Sequence, residues 1–534
     1  MLFHTKQEMQ ILLEQKPDYQ RFLYRRGFII TNHVINSLDQ YPFYGNWIRV
    51  QLYRDICVYA HRDARVFIRH DGDRAFFLIG HAYDPFTLRY REEEVLEQLS
   101  TAYLEGITRF WEAESGLTGV FCIGYAEDGK LVFSTDCCGM QLVYHGVING
   151  KLCITSHSKL ASDLWDLKQD SYVERLVNSR FYHYWGTWLP GDLSPFAELK
   201  RMQPNCAGTF DCSDKKIRID RYYPTHEIVE TTTQDEYQKT IAELGEIMSR
   251  TMRLIAQKWS DRKIALAVTG GRDSMTALAC ANGIYDKYRY FSYISNDAEA
   301  VDAYAAKDIC NSLGLDHKIY TIPDDCELYR DLPIFKAILE CNAGCIGENN
   351  PNDAKKRLYF SHHCDFDIEI KSWVNEMGRG WYYNKYNKKR FPRRPTAKYW
   401  RAMHKVYLDP WLIRETDKVF QDYLDQYYSD DVFRKISWLE LYFWEFAWSG
   451  GEGVFLTSEQ RTSYEITIPF NNRRYIEKML TVPLNKRIVD DIPKDLIKLK
   501  NPEIAKTGVV IKDVEHTNMR ARIVRTYLEI FSRI

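Results

Sequence analysis

Between Val268 and Met275 the chain reads V-T-G-G-R-D-S-M: two adjacent glycines between the hydroxyls of Thr269 and Ser274, with a carboxylate at Asp273. Bare glycines let an anion approach the backbone, and a helix starting there turns its open N–H groups toward that anion. Thr269 and Ser274 add hydroxyl donors, and a carboxylate such as Asp273 is the residue type that holds Mg2+ against phosphate oxygens. As a purely local feature the same residues make a tight turn capped by Asp273 or Ser274. A Walker-type loop is excluded, because Met275 and Thr276 stand where Gly-Lys-Ser/Thr is required. Thr269, Gly270, Gly271, Arg272, Asp273 and Ser274 are therefore the candidate phosphate contacts, with Asp273 as a candidate metal ligand.

The surrounding elements place this turn at a strand end. "KIALAVTGG" predicts a buried strand over 263–268, and "SMTALACANG" a helix over 274–283. A strand at 289–295, a helix at 299–313 and a strand at 317–322 continue the alternation of a parallel α/β sheet. Residues 1–225 differ in texture. The apolar and aromatic runs 28–35, 47–61, 74–83, 119–136 and 151–157, with turns at Glu127-Asp128-Gly129 and Asn149-Gly150, predict mostly antiparallel sheet, with one helical pattern over 91–114. A Thr-rich stretch and a long amphipathic helix begin near 226, which sets the expected boundary between domains 1–225 and 226–534. After residue 400 the spacing of Trp, Tyr and Leu is helical.

The 534 residues carry 72 basic and 73 acidic side chains, a formal charge of -1, which argues against a globally basic nucleic-acid binder. Thirteen cysteines without framework spacing predict reduced thiols and a cytoplasmic location. No run approaches the roughly 18 apolar residues of a membrane span. "CNAGC" (341–345) and "HHCD" (362–365) carry metal-capable side chains but lack zinc spacing. The basic segment 384–401 is expected to be a solvated loop. The aromatic segment 438–453 is expected to be helix core, with its glycines near a bound nucleotide.

The glycine turn resembles the Ser-Gly-Gly-x-Asp-Ser pyrophosphate loop of the ATP pyrophosphatase superfamily, with Thr269 in place of the first Ser. The segment 293–322, with Asp302 near the head of its helix, is similar to the strand, acidic loop and helix that come after that loop in asparagine synthetases. "YEITIPFNNRRYIEKMLTVP" (464–483) and "NPEIAKTGV" (501–509) resemble later blocks of the same family, and 116–164 resembles the core of class II glutamine amidotransferase domains. The resemblance implies ATP and Mg2+ as cofactors, adenylation of a carboxylate, and a charge-stabilising role for Lys506. Two departures matter. Leu2 stands where these glutaminase domains have cysteine, and the first cysteine is Cys57, which implies lost glutamine hydrolysis. In "IKSWVNEMGRGWYY" (370–383) Glu376 matches the family's glutamate near the substrate, Asn375 replaces its metal-binding Asp, and Arg379 is additional.

The expectation is thus an Ntn-hydrolase-like α+β domain of layered antiparallel sheet, followed by a parallel-sheet α/β ATP pyrophosphatase domain with a helical C-terminal part. The expected activity is an AMP-forming C–N ligase without its own glutaminase, with Glu376, Arg379 and Lys506 catalytic and Asp273 and Asn375 at the metal. Its expected partners are a small-molecule or peptide carboxylate and an amine donor, with a homodimer left open and no membrane. A pyrophosphate-loop enzyme acting on a nucleic-acid base and a catalytically inert scaffold are the alternatives.

Overall fold

The computed structural model describes residues 4–179, 182, 188–344, 351–404, 409–458, 460–507 and 518–533. Leu2, Cys345 and residues 508 and 509 of the "NPEIAKTGV" block lie outside them.

The first part carries twelve strands: β1 (Phe28–Thr31), β2 (Trp47–Tyr53), β3 (Ile56–His61), β4 (Val66–Asp71), β5 (Arg74–Tyr83), β6 (Thr118–Glu127), β7 (Lys130–Thr135), β8 (Tyr144–Ile148), β9 (Lys151–Thr155), β10 (Lys200–Arg201), β11 (Cys206–Asp211) and β12 (Lys216–Arg221). They form two six-stranded sheets, ordered β10-β8-β9-β1-β3-β2 and β12-β11-β7-β6-β5-β4. Neighbours are antiparallel throughout.

The period of two along each strand builds the layers. Ile56, Val58 and Ala60 of β3 share one core with Ala75, Phe77 and Ile79 of β5. The intervening Cys57 and Tyr59 face a second core with Met9, Leu13 and Leu160. Phe76 and Leu78 face a third, with Val95, Leu99 and Phe110. Two sheets therefore pack face to face, each with helices on its outer side. The helical pattern over 91–114 is two helices, Glu92–Leu104 and Ile107–Glu114, because the chain turns at Gly106 with φ 129°, a conformation that favours glycine.

The helix Gln234–Lys258 opens the second part with a capping box between Thr233 and Glu236. Five parallel strands come after it: β13 (Ile264–Ala267), β14 (Arg289–Ile294), β15 (His317–Thr321), β16 (Ile368–Ile370) and β17 (Glu465–Thr467). Their order is β15-β14-β13-β16-β17. Helices Arg272–Cys280 and Asp297–Ser312 connect the first three. The order reverses between β13 and β16, and such a switch point opens a crevice beyond the carboxyl ends of the strands. From Ala397 onward the described chain is mainly helical, including a π-helix, Tyr442–Glu452. No helix among the described residues is long and apolar enough to cross a membrane.

The two parts share a continuous apolar core. Polar contacts join them too: Tyr83 OH and His81 Nε2 at the end of β5 lie 2.8 and 3.1 Å from Thr467 Oγ1 of β17. The buried Lys258 ammonium reaches Glu92 at 2.6 Å.

Candidate functional site

β13 ends in the turn that carries the glycines, and the helix Arg272–Cys280 starts at Gly271 without a side-chain cap. Its first amides have no carbonyl within the helix to bond. The turn is braced from within. Ser274 Oγ accepts from the Thr269 amide at 3.1 Å and lies 3.0 Å from the Gly271 carbonyl oxygen, while Thr269 Oγ1 accepts from the Gly271 amide at 3.1 Å. Gly270 is closely packed: a Cβ there would sit 3.0 Å from Asp302 Oδ1. Asp302, on the helix after β14, therefore lies directly against the turn.

The loop after β16 faces the same turn across the switch point. Val374 adopts φ 78° and ψ −21°, a left-handed conformation strained for a β-branched residue, and costs of the order of 1–3 kcal/mol. This reversal starts the short 3-10 helix Asn375–Arg379. Asn375 Nδ2 then donates to Asp273 Oδ1 at 2.8 Å, and Arg379 Nη2 donates to both Asp273 oxygens at 2.9 and 2.8 Å. Asp490 extends the network, pairing with Arg272 at 2.5 Å and with Arg379 Nε at 3.2 Å.

Burial, then the Asp273 charge, pushes the Glu376 carboxyl up to about 8, so it is protonated at neutral pH. Burial also raises Asp273, against the pull of Arg379 and the Asn375 hydrogen bond. Asn375 Oδ1, Glu376 Oε2 and Arg379 Nε in this loop are buried without a hydrogen-bond partner. Unpartnered buried polar atoms are costly and call for a partner such as ordered water or a ligand.

The sequence-derived set is brought together in part. Thr269 to Ser274, Asn375, Glu376 and Arg379 gather at the switch point, with Asp302 beside them. Lys506 does not join them: its ammonium pairs with Glu503 of its own helical turn at 2.7 Å, largely in solvent. Asp273 and Asn375 are not arranged as a pair of metal ligands. Both Asp273 oxygens are engaged by Arg379, and the amide presents its donor rather than its oxygen. The expected Mg2+ thus does not fit this donor set. No group of three His, Cys, Asp or Glu suited to a metal occurs among the described residues.

The glycines at 450–453 are closely packed. A Cβ on Gly453 would lie 2.4 Å from the Gly139 carbonyl oxygen, and one on Gly450 would lie 3.3 Å from the Arg201 guanidinium. The basic segment 384–401 is partly spent on ion pairs, Lys388 with Glu529 and the buried Arg401 with Asp417. Sequence reasoning missed Asp490 and the strained Val374. Neither carries a motif, because their roles arise from distant segments meeting.

No protein-family model and no curated protein matches the chain. Among solved structures, glutamine phosphoribosylpyrophosphate amidotransferase from B. subtilis, complexed with ADP and GMP, is 9% identical, over 59% of this chain and 64% of its own, with a TM-score of 0.22. A structure described as the allosteric regulatory enzyme of purine biosynthesis is also 9% identical, over 59% of this chain and 63% of its own, with a TM-score of 0.23. This chain thus spans less than two thirds of either, and likeness at this level carries no argument about activity.

Proposed function

We propose that the chain is an ATP-dependent C–N ligase that adenylates a carboxylate, releases pyrophosphate and joins the acyl group to an amine or ammonia. The observation that carries this reading is the meeting, at the switch point of the parallel sheet, of the uncapped glycine turn after β13 with the Asn375–Arg379 loop after β16. The backbone around Gly270 and Gly271, with the Thr269 hydroxyl, is suited to a triphosphate. A substrate carboxylate oxygen attacks the α-phosphorus there and pyrophosphate leaves. The amine nitrogen then attacks the acyl carbon, AMP leaves, and Glu376 in its ionised form takes the amine proton. Arg379, which is bonded to Asp273 at the turn, balances the charge developing on phosphate.

Glutamine hydrolysis is not part of this proposal. A thiolate nucleophile needs a lowered pKa. In the sandwich Cys122, Cys138, Cys153 and Cys206 are buried, and burial pushes their thiols up. The test is product analysis with ATP over a panel of carboxylates, with ammonia, alkylamines or glutamine as donor. AMP and pyrophosphate formed with an amine support the reading. ADP and phosphate as products, or a strict requirement for glutamine, count against it.

A further inference from the structure

Asp273 is already neutralised by the protein. Its carboxylate accepts from Arg379 Nη2 through both oxygens, at 2.9 and 2.8 Å, and from Asn375 Nδ2 at 2.8 Å. A carboxylate at position 375 would set two like charges at hydrogen-bond distance, an arrangement that needs a divalent cation or a shared proton. The amide removes that charge and adds a donor, and Arg379 supplies one positive charge. Arg272 and Asp490 form a second pair beside it at 2.5 Å, so Asp490 does not stand as an uncompensated charge next to Asp273.

We infer that the Arg379 guanidinium takes the place of a divalent ion at this site, bridging Asp273 to an incoming phosphate oxygen, and that the protein itself holds no metal there. The identity of the phosphate as a nucleotide's rests on the function proposed above; the exclusion of metal does not. The geometry of the guanidinium is apt. Nη2 is committed to Asp273, while Nε lies 3.2 Å from Asp490 without a hydrogen-bond partner. A planar fork can hold a carboxylate on one edge and donate to a phosphate from another, which a spherical ammonium does less well. A metal ion reaching Asp273 would have to displace this bridge. Mg2+ carried on a triphosphate arrives as part of the substrate and keeps its own water ligands.

The test is titration of nucleotide-free protein with Mn2+, read by the electron paramagnetic resonance of the free ion. Wild type is expected to bind none through Asp273. Arg379→Ala, checked for folding by circular dichroism, is expected to gain one Mn2+ per chain, lost again when Asp273→Asn is added. Mn2+ bound by wild type and released by Asp273→Asn overturns the inference, and needs no Arg379 variant. A folded Arg379→Ala that gains no Mn2+ also overturns it. In EDTA, a non-hydrolysable ATP analogue is expected to bind about tenfold or more weakly to Arg379→Ala than to wild type, the effect of one charge-assisted hydrogen bond. Mn2+ restores that affinity in the variant. If the analogue binds to neither protein under any condition, the nucleotide reading falls while the Mn2+ result still decides the role of Arg379.

Discussion

Asn471 donates its side-chain amide to Asp136 Oδ1 at 2.8 Å and to the Gly119 carbonyl at 2.7 Å, joining two segments 335 residues apart. Asp136 also accepts from the backbone amides of Phe121, Met140 and Gln141 at 3.2, 2.9 and 2.6 Å. Burial raises this carboxyl, and the hydrogen bonds oppose the rise. Replacing Asp136 by Ala strands these donors in the core and is expected to cost about 3–5 kcal/mol. Urea denaturation measures it. A midpoint close to that of wild type would mean that the junction between the two parts does not depend on this carboxylate.

Much of this architecture was legible in the sequence, and what was hidden has physical reasons. The alternation of β13, β14 and β15 with their helices came from apolar runs and a glycine turn, local signals that burial in a parallel sheet enforces. The sheet-rich first part came from period-two runs such as β5 and β6. Strands β16 and β17, three residues each, are too short to show a period. The turn residues and Asn375, Glu376 and Arg379 could be singled out beforehand, but not that Arg379 would close on Asp273. That contact depends on the left-handed Val374, where a β-branched residue gives no local hint of a reversal. Lys506 was placed by resemblance of its block alone, and its side chain goes to Glu503 instead.

Glu376 sets a pH dependence. Its carboxyl, held up at about 8 by burial and then by Asp273, is protonated at neutral pH and must lose its proton to act as a base. The rate of amide formation is expected to rise with pH through about 8. Glu376→Gln is expected to flatten that limb and lower the rate by about a hundredfold. For stability the sign is opposite: the raised carboxyl destabilises the fold as pH rises from its ordinary 4.5 through about 8, so Glu376→Gln gains stability relative to wild type over that window. A limb unchanged in the variant assigns it to another group.

Glu465 works the other way. Burial raises its carboxyl, but Arg461, at 2.8 Å, and Arg26, at 3.2 Å, more than offset this and bring it down to about 2. Its contribution to stability is full above the ordinary value of 4.5 and is lost as pH falls through about 2. Denaturant midpoints measured across that window are expected to fall less steeply in Glu465→Gln than in wild type. Equal slopes would remove Glu465 from the acid response.

Lys506→Ala is expected to leave affinity for an ATP analogue within about twofold, as suits an exposed pair. Isothermal titration calorimetry measures it. A loss as large as that expected for Arg379→Ala would place Lys506 at the nucleotide.

Exchange of labelled pyrophosphate into ATP, assayed over a panel of carboxylates, tests the proposed adenylation most directly. With a cognate carboxylate, exchange is expected in wild type and expected to be lost in Asp273→Ala, which releases Arg379 from its partner at the glycine turn. Absence of exchange with every carboxylate, or exchange that survives Asp273→Ala, contradicts the account.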